Sequence, residues 1–567
     1  MPNELEALLS PSALYRDFLA SPERVREFYP VDFREPAALA ARGAARAVPA
    51  ERRAAIAAIL ARQAEAWGLA EASRESLARF ARPDALAVVA GQQPGLFGGP
   101  LYTLYKAITA VRLARAIETA SGTTVVPIFW VASDDHDFEE VRSAWVSDGG
   151  PEPTRLEIPG ETAPAGASVA RVILGEETAA LLTRLESLLP ATEFRPALLA
   201  SLRDAYAPGR SWTDAFARFM GGLLAPLGML VFDPSDAEAK RLALPVFERE
   251  ATLAGATARA AHDRGAELVA RGYHAQIDRH GNELNLFWHE ARREPLRLAD
   301  DGSIHATGSG TTWSPAAFLD SLRGAPEKAS PGVLLRPLMQ DYLLPTAAYV
   351  GGPAEVAYWA QIHPLYPMFG IEPPAVAPRA GATLLEPKIA KTLDRFELSW
   401  TSLAGDIEPT LSATLRRLLP DDFPETFERE RKAWDGSFER LEAVVTAFDP
   451  SLRSAVHTAA GKVQHEGREL ERKLMQVWKR RQEESVSQIR RAAGHLFPHG
   501  GLQERTASVL GYLARYGPGL LTRLREALGA PGSHLLVPLG GPESAAPAGG
   551  ASPEASAAQP AASKERS

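Results

Sequence analysis

The segment that most constrains the fold runs from residue 86 to residue 137. LAVVA (86–90) is a short apolar run between Pro83 and Gly91, the pattern of a buried strand. A glycine-rich loop, GQQPGLFGG (91–99), follows it, and Pro100 stands where a helix would begin. LYTLYKAITAVRLARAIE (101–118) is apolar nearly all round, with exceptions at Thr103, Lys106, Thr109, Arg112 and Arg115, as expected of a helix packed on a sheet. TVVPIFWVA (124–132) is a second buried strand and runs into Ser133-Asp134-Asp135-His136-Asp137. Strand, helix and strand within about 45 residues make a βαβ unit with parallel strands and a right-handed crossover. The loops after both strands then share one edge of the sheet, where open α/β sheets bind ligands.

The pattern recurs. GMLVFDPSD (228–236) reads as a strand ending in Asp233, and TAAYV (346–350) runs into Gly351-Gly352-Pro353 and a helix, AEVAYWAQIHPLY. Residues 1–387 are therefore expected to form an α/β core with a parallel sheet and N-terminal helices. An inserted segment around 250–330 is expected to contain a hairpin, YHAQIDRHGNELNLFWHE (273–290), turning at His280-Gly281-Asn282. From 388 to 532 the reading is a long α-helical, antiparallel coiled coil. Val463, Leu470, Leu474, Val477, Val486, Ile489 and Leu496 recur at coiled-coil spacing. Phe427, Trp434, Phe438, Leu441 and Val445 lie on a helix placed to pair with them across the Asp449-Pro450-Ser451 turn. ERTASVLGYLARYGPGLLTRLREAL (504–528) adds helix, HLLVPL (534–539, within 533–540) reads as a strand returning to the sheet, and 541–567 reads as a disordered tail.

Composition removes several chemistries. The chain has no cysteine, which excludes disulfides, thiolate metal sites and a cysteine nucleophile. Its formal charge of -8 gives no general pull toward nucleic acid or anionic membranes. No run approaches the ~20 apolar residues that span a bilayer, and the N-terminal residues lack a secretory pattern, so a cytoplasmic location is expected. Only 10 of the 62 basic residues are lysine, which draws attention to each of those lysines.

Three groups of residues could carry chemistry. Gly91, Gln92, Gln93, Gly95, Gly98 and Gly99 could offer backbone N–H groups at a helix start to a phosphate or carboxylate, with Lys106 in marginal reach. A ligand-free strand–helix turn would look the same, and the pattern is not a nucleotide motif. Asp134, Asp135, His136 and Asp137 could supply a general base, a metal ligand or an amine-binding carboxylate, or could simply cap a helix. In LLRPLMQDYLLPTAAYVGGPAEVAYW (334–359), Arg336 reads as a guanidinium on a strand that needs a carboxylate or phosphate partner. Gln340 and Asp341 follow, Gly351 and Gly352 repeat the cradle logic, and Glu355 and Tyr358 share a helix face. No zinc-binding motif is present, and no metal site is assigned.

AGQQPGLFGGPLYTLYKAITAVRLA (90–114), PIFWVASDDHDFEEV (127–141), LLRPLMQDYLLPTAAYVGGPAEVAYWAQ (334–361) and LQER (502–505) together resemble the bacillithiol-synthesis cysteine-adding enzymes, the BshC family. The resemblance covers all but the terminal tail. It implies a Rossmann-like core, a coiled coil through which the chain forms a homodimer, and a ligase reaction. That reaction joins the carboxyl group of L-cysteine to the amine of glucosaminyl malate. Amide formation from a free carboxylate needs activation, so ATP, with Mg²⁺ as its companion, is the expected cofactor. The Gly91–Gly99 loop and Arg336 would hold substrate anions, and His136 or a neighbouring Asp would take the ammonium proton. Lys388 and Lys391 could contact phosphates or be surface charges. Two other readings of the residues are a metal-dependent hydrolase built on Asp134–Asp137 and a nucleotide-binding coiled-coil assembly protein.

Overall fold

The computed structural model describes residues 4–10, 12–46, 48–147, 150, 152–278, 281–419 and 422–540. The expected tail, 541–567, lies outside them. At the centre is a five-stranded sheet of β1 (Leu86–Gln92), β2 (Val125–Val131), β3 (Leu230–Phe232), β4 (Thr346–Gly351) and β5 (Ala375–Pro378). The spatial order is β3-β2-β1-β4-β5 and every pairing is parallel. The chain lays down β1, β2 and β3 toward one edge, then returns to lay β4 and β5 on the other side of β1. The reversal places the topological switch point between β1 and β4, where such sheets open a crevice beyond their strand ends. The helix after β1, α1 (Leu101–Ser121), is buried on most of its circumference. Its lack of a polar face follows from burial between the sheet and flanking helices. The helices before residue 82 pack on this core through residues such as Phe18, Phe28, Ile56 and Phe80.

The insertion holds a second sheet, antiparallel throughout, in the order Ala329–Pro331, Glu283–His289, Arg293–Leu298, Ile304–Ala306, Thr312–Trp313. The expected hairpin is displaced. Glu283–His289 pairs with the strand after it, through a turn at 290–292, while 273–278 forms no strand and His280 lies outside the described residues. The alternating apolar positions of 283–289 were real, but their partner is downstream. Arg336 is also not on a strand: it lies on α3 (Leu335–Leu343), which packs against α2 (Ala237–Leu253). A continuous apolar run does not separate a buried helix from a buried strand.

Beyond the core, α5 (Asp422–Phe448) and α6 (Arg453–Arg481) form an antiparallel pair across the Pro450–Leu452 turn. α4 (Pro353–Ile362) precedes them in the chain and follows β4 directly. Gln464 donates to Asp435 at 2.6 Å, and His457 and Arg453 both meet Glu442. Gly467 lets the helices approach: a Cβ there would stand 2.5 Å from the Trp434 ring. The expected single long helix breaks at Gln482, and α7 (Glu483–Leu496) turns its Val486, Ile489 and Leu496 into a small second core. The stretch 504–528 divides into three helices. His534–Pro538 is a strand as expected, but it pairs in parallel with Gly381–Leu385 as a separate two-stranded sheet and does not rejoin the central one.

Candidate functional site

A cavity of about 700 Å³ opens at the switch point. Gly91, Gln92 and Gln93 come to it from the end of β1, Asp134, Asp135 and His136 from the end of β2, and Gly352 and Glu355 from the turn after β4. Arg336 and Tyr358 approach from α3 and α4, while Phe287, Arg293 and Pro331–Val333 come from the inserted sheet. Arg379, just past β5, and Arg505, from the C-terminal helices, complete it.

Lys106 does not await an anion. It is 3 % exposed, and its ammonium donates to Gly91 O (3.0 Å), to Gln92 Oε1 (2.8 Å) and to Glu355. Three donors meet three acceptors, so Lys106 is a pin that ties β1 to α4. Burial opposes the charged form of Glu355. The ammonium of Lys106, the amide of Gly352 (2.8 Å) and the hydroxyl of Tyr349 (2.5 Å) nevertheless hold its carboxyl below the usual range. Arg336 donates to Gln340 Oε1 (3.0 Å) and to Tyr358 OH (3.2 Å), and its guanidinium sits over Tyr349. Burial would lower its proton affinity, but Tyr349, Tyr358 and Glu355 raise it overall, keeping a fixed positive charge on the wall. Arg379 is anchored by Glu504 at 2.5 Å, a buried pair that joins the end of β5 to the C-terminal helices.

The segment after β2 brings carboxylates to the cavity. Asp134 accepts from the buried Lys240 at 2.5 Å, and burial lowers the proton affinity of that lysine against the pull of Asp134. Asp135 accepts from Gln93 Nε2 at 2.6 Å and from the backbone amides of His136 (2.7 Å) and Asp137 (3.3 Å). Glu140 lines the mouth beside Gln93. Behind them burial pushes Asp233 up to about 6, although Ser133 and Ser235 hydrogen-bond to it.

Several expected site residues stand elsewhere. Gly95, Gly98 and Gly99 turn inward: the amides of Gly95, Gly98 and Gly99 are spent on Gln93, Gly95 and Leu96 carbonyls within the loop. Gly98 has φ +91°, and a Cβ there would strike Met220. The loop is therefore a tight strand–helix connection and not an anion cradle. The amide of Gly352 is likewise taken by Glu355, and Gly351 packs on Tyr349 and Glu355. Gln340 and Asp341 form a buried relay behind Arg336 that ends on Tyr366. Asp137 caps the short helix Phe138–Val141 by accepting from Glu140 N. The run Asp134–Asp137 thus diverges, and among the described residues no three His, Asp or Glu side chains are grouped to hold a metal ion. Lys388 and Lys391 are exposed on Pro387–Arg395, away from the cavity lining.

Sequence reasoning missed Tyr102, Trp130, Glu140, Lys240, Arg293 and Arg379 as site residues. Lysine scarcity pointed weakly at Lys240. Arg293 and Arg379 sit in segments whose local pattern carries no sign of the site, because long-range packing brings them there. No helix among the described residues is long and apolar enough to cross a membrane.

Comparison with known proteins agrees with this architecture. Residues 2–380 match the family described as bacillithiol biosynthesis BshC, N-terminal Rossmann-like domain, and residues 382–537 match the BshC C-terminal coiled-coil domain. A protein of Salinibacter ruber named "Putative cysteine ligase BshC" is 38% identical over 517 residues, covering 91% of this chain and 94% of its own. Proteins of the same name from Symbiobacterium thermophilum and Solibacter usitatus are 34% and 33% identical, each covering 91% of this chain and 95% of its own length. With both parts of the chain matched in order and relatives aligned over nearly their full length, this chain belongs to the BshC family of bacillithiol biosynthesis.

Proposed function

We propose that this chain is a cytoplasmic, ATP-dependent ligase that joins the carboxyl group of L-cysteine to the amine of glucosaminyl malate. The names of the relatives support the cysteine half of that reading. The observation that carries the rest is that one cavity is lined both by Arg336, Arg379 and Arg505 and by Asp134, Asp135 and Glu140. A malyl group presents two carboxylates, which guanidinium groups bind as charge-assisted pairs. A sugar ammonium beside it suits the carboxylates of Asp134, Asp135 and Glu140.

ATP would supply the activation, passing a phosphoryl or adenylyl group to one carboxyl oxygen of cysteine with release of ADP or diphosphate, and Mg²⁺ would accompany the nucleotide. The guanidinium groups of Arg336, Arg379 and Arg505 fit such polyanionic species, whereas in the Gly91–Gly99 loop the amides of Gly95, Gly98 and Gly99 are already taken within the loop. The residues of the chain hold the amine against the acyl carbon. The ammonium first gives one proton to Asp135 or Glu140, which frees its lone pair; as the N–C bond forms and the C–O bond to phosphate or AMP breaks, the nitrogen's second proton leaves with the phosphate or AMP. Bringing two reactants together in this way accounts for a large share of catalysis in acyl transfer.

The chain is further proposed to dimerise through its coiled coil, where Leu441, Val444, Leu470 and Val477 remain exposed along α5 and α6. Incubating the protein with ATP, Mg²⁺, L-cysteine and glucosaminyl malate is expected to yield the amide by mass spectrometry, with AMP or ADP in equal amount. Absence of amide with all components present would overturn the ligase reading.

A further inference from the structure

We infer that Arg293, delivered by the inserted antiparallel sheet, is a positioning residue that fixes the tautomer of His136 and makes it a hydrogen-bond donor to the reacting carbonyl, not the base. The role in catalysis rests on the ligase reading above; the tautomer itself does not.

The geometry leaves one assignment. Arg293 Nη1 lies 3.0 Å from His136 Nδ1. A guanidinium has donors and no acceptor, so Nδ1 must present its lone pair, and the proton of the neutral imidazole then sits on Nε2. Asp135 Oδ1 is the other neighbour of Nδ1, at 3.5 Å, but it accepts the amides of His136 and Asp137. Arg293 is itself immobilised: Nε donates to Ser330 Oγ at 3.0 Å, and Nη2 donates to Pro331 O at 2.9 Å. Its guanidinium lies 3.6 Å from the centroid of the Phe287 ring, which also flanks His136. Ser330 is fully buried and bonded in turn to His289 Nε2 at 2.9 Å. His136, Arg293 and Phe287 all line the cavity.

With Nδ1 committed, Nε2–H is the atom His136 offers to a substrate. Attack of the amine on the activated acyl carbon puts negative charge on the carbonyl oxygen, and a donor held in place beforehand stabilises that charge. The ammonium first gives one proton to a carboxylate; the N–C bond then forms, the C–O bond to phosphate or AMP breaks, the nitrogen's second proton leaves with the phosphate or AMP, and His136 keeps its own proton throughout. A wrongly oriented or wrongly protonated imidazole would lose this donor even with every substrate bound.

The test compares turnover of R293A, R293K, H136A, H136Q and the H136Q/R293A double variant. Glutamine places an N–H near the position of Nε2 and has no tautomer to fix. R293A is expected to lower kcat by about 10²- to 10³-fold, the range for losing one preorganised donor, with KM for both substrates within about threefold. H136Q is expected to keep at least about a tenth of wild-type kcat where H136A loses as much as R293A, and adding R293A to H136Q is expected to cost little more. R293K, which keeps the charge, checks that losses do not come from misfolding. H136Q as slow as H136A would make His136 the base and overturn the proposal. A rise in KM with unchanged kcat in R293A, or an equal loss from R293A in both backgrounds, would also overturn it. NMR of the ¹⁵N-histidine-labelled protein, with His136 identified by its loss in H136Q, reads the tautomer without turnover. Nε2–H in the wild type and a mixture in R293A support the assignment, and Nδ1–H in the wild type overturns it even if the amide forms.

Discussion

Two helical regions of this chain bury themselves in opposite ways. α1, under the site, buries Leu101, Leu104, Tyr105, Ile108, Val111 and Ile117 together with polar Thr103, Lys106 and Thr109. In α6 of the coiled coil no residue is buried, and Leu470 is 58 % exposed. The first helix is enclosed by its own chain on nearly every side, and of its buried polar groups Lys106 finds its partners at the site while Thr109 bonds to Tyr105 O and Ala380 N. The second is covered on one side only. Its charges are solvated and its apolar stripe is left over. Ion pairs should accordingly matter far more at the sheet edge than in the coiled coil.

The largest expected effect breaks that comparison at its strongest point. Replacing Glu504 by alanine strands the buried Arg379 guanidinium, and loss of one partner of a buried pair costs about 3–5 kcal/mol. Urea unfolding of E504A should show that loss, and ligation should fall with it because Arg379 lines the cavity. Glu442 in the coiled coil meets Arg453 and His457 but is open to solvent, so E442A should cost less than about 1 kcal/mol. Equal losses in the two variants would refute the contrast.

A second test uses acid. His289 sits behind the site, 4 % exposed, and burial holds its pKa down to about 3 from an ordinary 6.5. In the folded protein it stays neutral while the unfolded chain takes up a proton below pH 6.5. Its contribution to stability is therefore complete above that pH and is lost as pH falls toward 3, at about 1.4 kcal/mol per unit. H289Q should flatten the decline of unfolding free energy between pH 6.5 and 4.5 relative to wild type. An H289Q curve parallel to wild type would show that His289 is protonated within the fold.

How far these features could be read without coordinates depends on whether their cause is local. The βαβ unit, the crossover helix and the helical hairpin follow from runs of side chains adjacent in sequence, and each emerged where the pattern put it. The role of Lys106 did not, because its three acceptors belong to β1 and to a turn about 250 residues away, and no local pattern records them. The Gly91–Gly99 loop misled for the complementary reason. Glycine there answers the closeness of Met220 and the loop's own amide bonds, which are invisible until the helix carrying Met220 is docked. Arg336 was correctly singled out for its charge and misplaced on a strand, since burial erased the periodicity that separates the two structures. The second-sheet hairpin lies downstream of its expected place, since Glu283–His289 pairs with Arg293–Leu298 and 273–278 forms no strand.

The smallest expected effect on the chain's own stability is the one that sharpens the contrast most. Leu470 and Val477 are about half exposed on α6, and Leu441 and Val444 are exposed on α5. Changing Leu470 and Val477 to serine removes little apolar contact within one chain, so each substitution should move unfolding of the isolated chain by no more than about 0.5 kcal/mol, as for surface positions generally. If the exposed stripe is the dimer seam, the same changes remove area buried between two chains, and the loss appears as weaker association. Sedimentation of the double variant over a range of concentrations should show the monomer persisting where the wild type is dimeric, while ligation per chain at the cavity continues. An unchanged association constant would place any dimer contact elsewhere, and a large loss of stability in the dissociated chain would mean the stripe is held inside one chain after all.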